Sequence, residues 1–183
     1  MTEQAAVLRL IDAVYAEQQE LKALLLRHSF DVWSRAQSVL QRHPELGADE
    51  QLVFEGALAH DVGVIYCNAP KIYCFGGEPY LLHGVLGGRL LRENGFERLA
   101  PFAERHTGVG LRAEDFIAKG LRVPAVETVP QTIEEEIVAY ADKFLSKSKP
   151  DRVKTVAAVE RSMLKFGESQ ALRFREWDKK FGG

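Results

Sequence analysis

Four histidines and one aspartate of this chain stand where helical periodicity calls for apolar side chains, and any fold it adopts must accommodate them. His28 falls on the stripe of Leu24, Leu25 and Val32. His60 follows Val53, Gly56 and Ala57, and His83 lines up with Leu86, Gly87 and Leu90. His106 comes four residues after Phe102, and Asp142 lies between Val138 and Leu145. A polar group on a buried face is costly unless partnered, and an ionised carboxylate far more so. Taken alone, any one of these histidines reads most simply as a core residue bonded to a carbonyl. Five anomalies in 183 residues are satisfied together by one shared metal site, whereas separate structural explanations need five independent partners. His43, beside Arg42 and Pro44 at a helix end, is an ordinary solvated residue by the same test.

The rest of the pattern predicts an all-α fold, a single-domain helical bundle over residues 1–183. Apolar residues recur at intervals of three and four almost throughout, and no stretch alternates with period two as a strand would. The spacing predicts a long first helix from Leu8 through Leu25 and a second through Val32 to Leu40. The second stops before Pro44, because a pre-proline residue avoids the helical region. Asp49 caps a third helix that runs to His60. A fourth runs from about Tyr80 to Gly95, and a shorter one leads into His106. Thr132 and Glu135 fit a capping box for a helix through Phe144, and two more are expected over 151–165 and 168–179. Residues 62–79 and 120–131 read as loops. The first is longer than most structureless connections and follows His60-Asp61 directly, which favours a functional role. At least six helices are expected, with no sheet beyond a short ribbon.

Composition narrows the function classes. A net charge of −2 and a pI near 6.2 argue against stable nucleic-acid binding, which calls for a basic excess. No apolar run approaches the roughly 18 residues of a membrane helix, and no basic segment precedes an apolar one at the N-terminus as in a signal peptide. Cys67 and Cys74 then read as two reduced thiols, and the expected location is the cytoplasm. A homo-oligomer is compatible with these features.

The donor set is imidazole nitrogen and carboxylate oxygen, which suits Fe, Mn, Ni, Co or Zn better than Mg or Ca. The spacing is wide: 32 residues from His28 to His60, 22 from Asp61 to His83, 23 from His83 to His106 and 36 more to Asp142. Such ligands must come from different helices of a bundle, and zinc-finger spacing is far tighter. There is no G-x-S-x-G elbow and no P-loop. The Gly87-Gly88 pair lies inside a helix and reads as permitting close helix approach. The basic run Lys143, Lys147, Lys149, Arg152 and Lys154 reads first as a solvated face, although members so close to Asp142 are candidates to meet a substrate phosphate.

The ordered set of His28 in RHSFDV, His60-Asp61 in AHDVG and Asp142 in AYADKF resembles the HD superfamily of metal-dependent phosphohydrolases over about residues 25–150. AHDVG is similar to the HDIG variant, with Val62 where isoleucine is common. His83 in LLHGVLGG and His106 in ERHTG resemble the additional ligands of the dinuclear branch, which includes bacterial symmetrical diadenosine tetraphosphatases. The resemblance implies an α-helical bundle with two divalent transition metal ions in its core. His28, His60, Asp61 and Asp142 would hold one ion, and Asp61, His83 and His106 the other, with Asp61 bridging. It also implies catalysis through His60 and Asp61 by a metal-activated water, on a small phosphorylated substrate such as a nucleotide; from the basic run beside Asp142, Lys143, Lys147 and Lys149 are the candidate phosphate ligands. The lysine that follows the HD-x-G segment in cyclic-di-GMP phosphodiesterases and their G-Y-P motif are both missing here, which argues against that substrate. Two other classes stay open at this point: a di-iron HD-type oxygenase with a similar ligand set, and a nucleotide-sensing module with a degenerate site.

Overall fold

The computed structural model describes residues 3–149 and 151–182, and the described residues form nine α-helices with one two-stranded ribbon. The helices are α1 (Glu3–Val14), α2 (Gln19–Arg42), α3 (Glu50–Ala59), α4 (His83–Glu93), α5 (Ala100–Arg105), α6 (Ala113–Ala118), α7 (Ile133–Lys143), α8 (Val156–Leu164) and α9 (Glu168–Phe181). The all-α expectation is met.

The local signals for helix ends are used as expected. Asp49 accepts a hydrogen bond from the Leu52 amide at 3.0 Å, and α2 ends one residue short of the 3-10 turn opened by Pro44. Thr132 accepts from the Glu135 amide. Glu135 does not return that bond: its carboxylate accepts from the Gln131 amide at 2.8 Å and pairs with Arg105 at 2.9 Å. The pair ties the start of α7 to the end of α5, beside His106.

Two expectations are corrected. The long first helix breaks at residues 15–18, and α2 then runs unbroken through the point where a boundary was expected. Apolar periodicity carries across both places, so it could not locate the break. The buried Tyr15 hydroxyl donates to the Val62 carbonyl at 2.7 Å, a bond between residues 47 apart that anchors the end of α1 on the segment after Asp61. The short helix α6 was not expected at all. It rests on the Asp115 carboxylate, which accepts from the Arg112 amide at 2.8 Å.

Helix α3 is buried nearly all round, as a central helix must be, and packs against α1, α2, α5 and α7. Close approach at its C-terminal end depends on glycine. A Cβ on Gly63 would collide with the His83 carbonyl and the Gly87 amide, and one on Gly88 would overlap the Glu104 side chain. The Gly87-Gly88 pair therefore lets α4 press against both the HD segment and α5. Residues 62–79 are ordered by 3-10 turns and by the antiparallel ribbon of β1 (Asn68–Ala69) and β2 (Cys74–Phe75). Cys67 and Cys74 are buried free thiols.

Candidate metal centre

Five helices each deliver one part of the site. His28 lies on the buried face of α2, and His60-Asp61 terminates α3. His83 opens α4, His106 caps the C-terminal end of α5, and Asp142 belongs to the last turn of α7. The six residues separate into two groups, His28/His60/Asp61/Asp142 and Asp61/His83/His106, in each of which the ligand atoms lie within 4.8 Å of one another.

Asp61 joins the groups through its two oxygens. Oδ2 is 2.8 Å from His60 Nε2 and 3.1 Å from His28 Nε2. Oδ1 is 3.3 Å from His83 Nε2 and 3.4 Å from His106 Nε2. Asp142 Oδ1 completes the first group, 2.9 Å from His28 Nε2 and 3.9 Å from His60 Nε2.

Backbone carbonyls set the tautomers. Nδ1 of His60 lies 2.7 Å from the Ala57 carbonyl, that of His83 is 2.6 Å from Tyr80 and that of His106 is 2.8 Å from Ala103. A carbonyl only accepts, so each Nδ1 carries a proton, and in the neutral imidazole each Nε2 then presents a lone pair to the centre. This is how metal-ligating histidines are oriented. It also places Nε2 of His83 and Nε2 of His106 2.9 Å apart, two acceptors facing each other when both rings are neutral, an arrangement that a cation would relieve. His60 Nε2 and both Asp61 oxygens are buried with no well-directed hydrogen bond among the described residues. Buried ligand atoms of this kind, with charged neighbours but no directed hydrogen bond, fit a divalent metal.

The electrostatics keep Asp61, Asp142 and His106 in their ligating forms, whereas His28 is shifted towards its protonated form, which a bound cation would have to displace. Burial pushes the Asp61 carboxyl up, but His60, Lys147 and contacts from His106 and His28 outweigh it and hold the group well below the usual carboxylate range. Asp142 behaves alike: burial raises it, and Lys143, His28 and Lys147 prevail in lowering it. Burial pushes the His106 imidazole down to about 3, against the opposing contact with Asp61. Burial and Lys147 oppose protonation of His28, but its bonds to Asp142 and Asp61 win and raise it. Burial raises Cys67 to about 12 and Cys74 to about 11, so neither thiol is a nucleophile at neutral pH.

These shifts set an acid limit on the metal-free protein. Between an unfolded value of roughly 6.5 and the folded value of about 3, the unfolded chain takes up a proton at His106 that the folded chain refuses, so stability falls with falling pH. Asp61 and Asp142 add to the fall at lower pH, because their stabilisation is lost as pH drops through their depressed folded values. His28 acts in the opposite sense, its stabilisation being complete at low pH and lost as pH rises through its raised value. We expect the urea midpoint of chelator-treated protein to fall steadily from about pH 6 to about pH 4, between the two His106 values and below the range in which His28 opposes it, and a flat midpoint over that range would contradict this reading of the site.

His28, His83, His106 and Asp142 open onto a cavity of about 530 Å³, with His60 and Asp61 buried behind them; it is also lined by Lys71, Lys143, Lys147, Lys154 and Lys165 and walled in part by Ile72, Tyr80, Leu81, Met163 and Phe166. Lys143 lies 2.6 Å from Asp142 Oδ2, and its ammonium donates to the His106 carbonyl at 3.1 Å. The Lys147 ammonium pairs with Asp61 Oδ2. Lys149 is exposed and stands outside the cavity lining. Lys71 and Lys165 were not singled out from the sequence. They reach the cavity from the ribbon segment and from the α8–α9 turn, and nothing in their local sequence announces that.

Comparison with known proteins agrees with this arrangement. A model of the HD domain matches residues 25–146, a span that encloses all six converging residues. An uncharacterized protein of Methanocaldococcus jannaschii is 43% identical over 98 residues, covering 53% of this chain and 50% of that protein. A tRNA (cytidine(56)-2'-O)-methyltransferase of Picrophilus torridus is 34% identical over 124 residues, covering 67% of this chain and 32% of that protein. The chain thus spans between a third and a half of the length of these curated relatives. Among solved structures, the HD domain of the L. monocytogenes phosphodiesterase PgpH superposes with a TM-score of 0.56 at 18% identity, covering 92% of this chain and 94% of that one. The same domain in complex with cyclic-di-AMP gives 0.54 at 20% identity, covering 92% and 93%. No helix among the described residues is long and apolar enough to cross a membrane. The family match, with six metal-compatible donors inside it, shows that this chain belongs to the HD-domain family.

Proposed function

We propose that this chain is a metal-dependent phosphohydrolase that acts on a nucleotide or another small phosphate ester or anhydride. The observation that carries the reading is the pair of His/Asp groups that share Asp61 and open onto a lysine-lined cavity. Two divalent ions held there would supply a hydroxide nucleophile near neutral pH and neutralise charge on the phosphoryl oxygens. His28, His60, Asp61 and Asp142 would hold one ion and Asp61, His83 and His106 the other, Fe, Mn, Ni, Co or Zn all suiting this donor set. Asp61, shared by the two groups, and His60 beside it are assigned as catalytic.

The remaining side chains account for substrate choice. Lys143 and Lys147 place point charges beside the centre for an anionic group. The apolar and aromatic wall suits a base or other planar moiety. A cavity of about 530 Å³ falls within the roughly 300–1,000 Å³ of small-molecule sites and is ample for a mononucleotide. That the PgpH domain, of similar fold, is described in complex with cyclic-di-AMP supports a nucleotide. The single-domain organisation and a cytoplasmic location remain part of this proposal.

The test is phosphate release from a panel of nucleotides by chelator-stripped protein, before and after adding Mn, Fe, Co or Ni. Release is expected to depend on metal by at least about a thousandfold. Full activity after exhaustive chelation would overturn the proposal. A coloured iron centre that consumes oxygen and releases no phosphate would replace it with the oxygenase reading.

A further inference from the structure

Lys143 and Lys147 lie next to the same centre and are held in different ways. Lys143 is fixed: its ammonium is bonded to both the Asp142 carboxylate and the His106 carbonyl, and its own carbonyl accepts from Lys154 Nζ at 3.0 Å. Lys147 belongs to the segment between α7 and α8, and its ammonium pairs with Asp61 Oδ2. The oxygen it pairs with is the one facing His60 and His28, not the one facing His83 and His106. The ammonium therefore occupies the oxygen of Asp61 that faces the group His28/His60/Asp61/Asp142 and would serve its ion.

Two cations cannot share that oxygen in a buried site without strong mutual repulsion. In the metal-free protein the two lysines balance the two carboxylates, Lys143 against Asp142 and Lys147 against Asp61. A divalent ion at Asp61 Oδ2 takes the strongest partner of the Lys147 ammonium and repels it, leaving the weaker attraction of Asp142 and Tyr80. There is room for it to leave: its side chain lines the main cavity and also a second one of about 250 Å³ beside Leu24, Arg27 and Asp31.

We propose that Lys147 is an exchangeable internal cation, which holds Asp61 in the metal-free centre, is displaced when an ion binds to the first group, and is then presented to the cavity as a ligand for the substrate's anionic group. This rests on the metal-centre reading above and adds to it an order of events: the ion comes first, and the phosphate ligand is released by it. A competing cation lowers apparent affinity by mass action, so the first ion binds more weakly than the same donors would allow without the lysine.

The experiment is calorimetric titration of Mn²⁺ into the chelator-stripped full chain, comparing wild type with Lys147→Met, which keeps length and loses charge, and Lys147→Arg, which keeps charge. Lys147→Met is expected to tighten one of two Mn²⁺ sites by about tenfold and to leave the other unchanged, while Lys147→Arg stays near wild type. Thermal melting supplies the second readout. Lys147→Met should lower Tm in the metal-free protein and leave it unchanged in the Mn²⁺-saturated protein. Equal Mn²⁺ affinities, or the same Tm loss in both states, would overturn the exchange and leave Lys147 as a structural ion pair with the metal centre intact. A wild type that takes up no Mn²⁺, Fe²⁺ or Co²⁺ would remove the metal-centre reading and this proposal together.

Discussion

Asp61→Ala is expected to empty both halves of the centre and to lower phosphate release at least about a thousandfold. The expectation follows from the placement of one carboxylate between two sets of imidazoles, with Oδ2 beside His60 and His28 and Oδ1 beside His83 and His106. Among the described residues, Asp61 alone belongs to both groups. His28→Ala removes a donor from the first group alone and should spare the second. In the metal-free protein, Asp61→Ala also strips Lys147 of its partner. An uncompensated buried ammonium costs about 3–5 kcal/mol, so the variant must be checked for folding. Asp61→Asn, which keeps the volume, provides the control. Metal content by atomic emission, set beside circular dichroism, decides the matter. A folded Asp61 variant that retains two ions would show that the carboxylate does not bridge.

What the sequence made legible, and what it did not, divides along the range of the interactions. The caps at Asp49 and Thr132 act over three residues, and the anomalous histidines betray themselves against neighbours three and four positions away. Such features are written in one stretch of chain. The end of α1 is not, because it is set by Tyr15 bonding to Val62 across the fold. Neither is the form of residues 62–79. There Asn68 donates to the Glu78 carbonyl and Gly76 to the Cys67 carbonyl, and these bonds fold back a segment whose composition says only that it is not helical. The same limit governs the lysines. The run after Asp142 was visible as charge, but charge alone cannot say that Lys143 and Lys147 turn inward while Lys149 stays outside. Lys71 and Lys165 become part of the cavity only once the ribbon and the α8–α9 turn are in place. The ordered set of donors indicated a centre, and its division into two groups around one carboxylate required the fold.

His83→Ala and His106→Ala are each expected to release one ion and leave the other bound, taking the stoichiometry from two to one. Both residues are almost fully buried, and each already satisfies its Nδ1 proton on a backbone carbonyl of its own chain segment. A core histidine with no further role would leave Nε2 bonded to a donor. Here each Nε2 faces the other at 2.9 Å, and Asp61 Oδ1, itself an acceptor, lies 3.3 and 3.4 Å from the two. With both rings neutral, three acceptors point at one another and raise the energy of the metal-free fold, and a divalent ion among them turns that cost into ligation. The two readings therefore predict different stabilities as well as different metal counts. If the histidines serve only packing, truncating either costs stability equally with and without metal, at about 2–4 kcal/mol for a buried side chain of this size. If they are ligands, truncation relieves the repulsion in the metal-free protein and costs far more in the loaded one, because stabilisation by the lost ion goes with it. Melting curves of wild type and both variants, stripped and saturated with Mn²⁺, separate these outcomes, and a loss of the same size in both states with unchanged metal content would reduce the centre to His28, His60, Asp61 and Asp142.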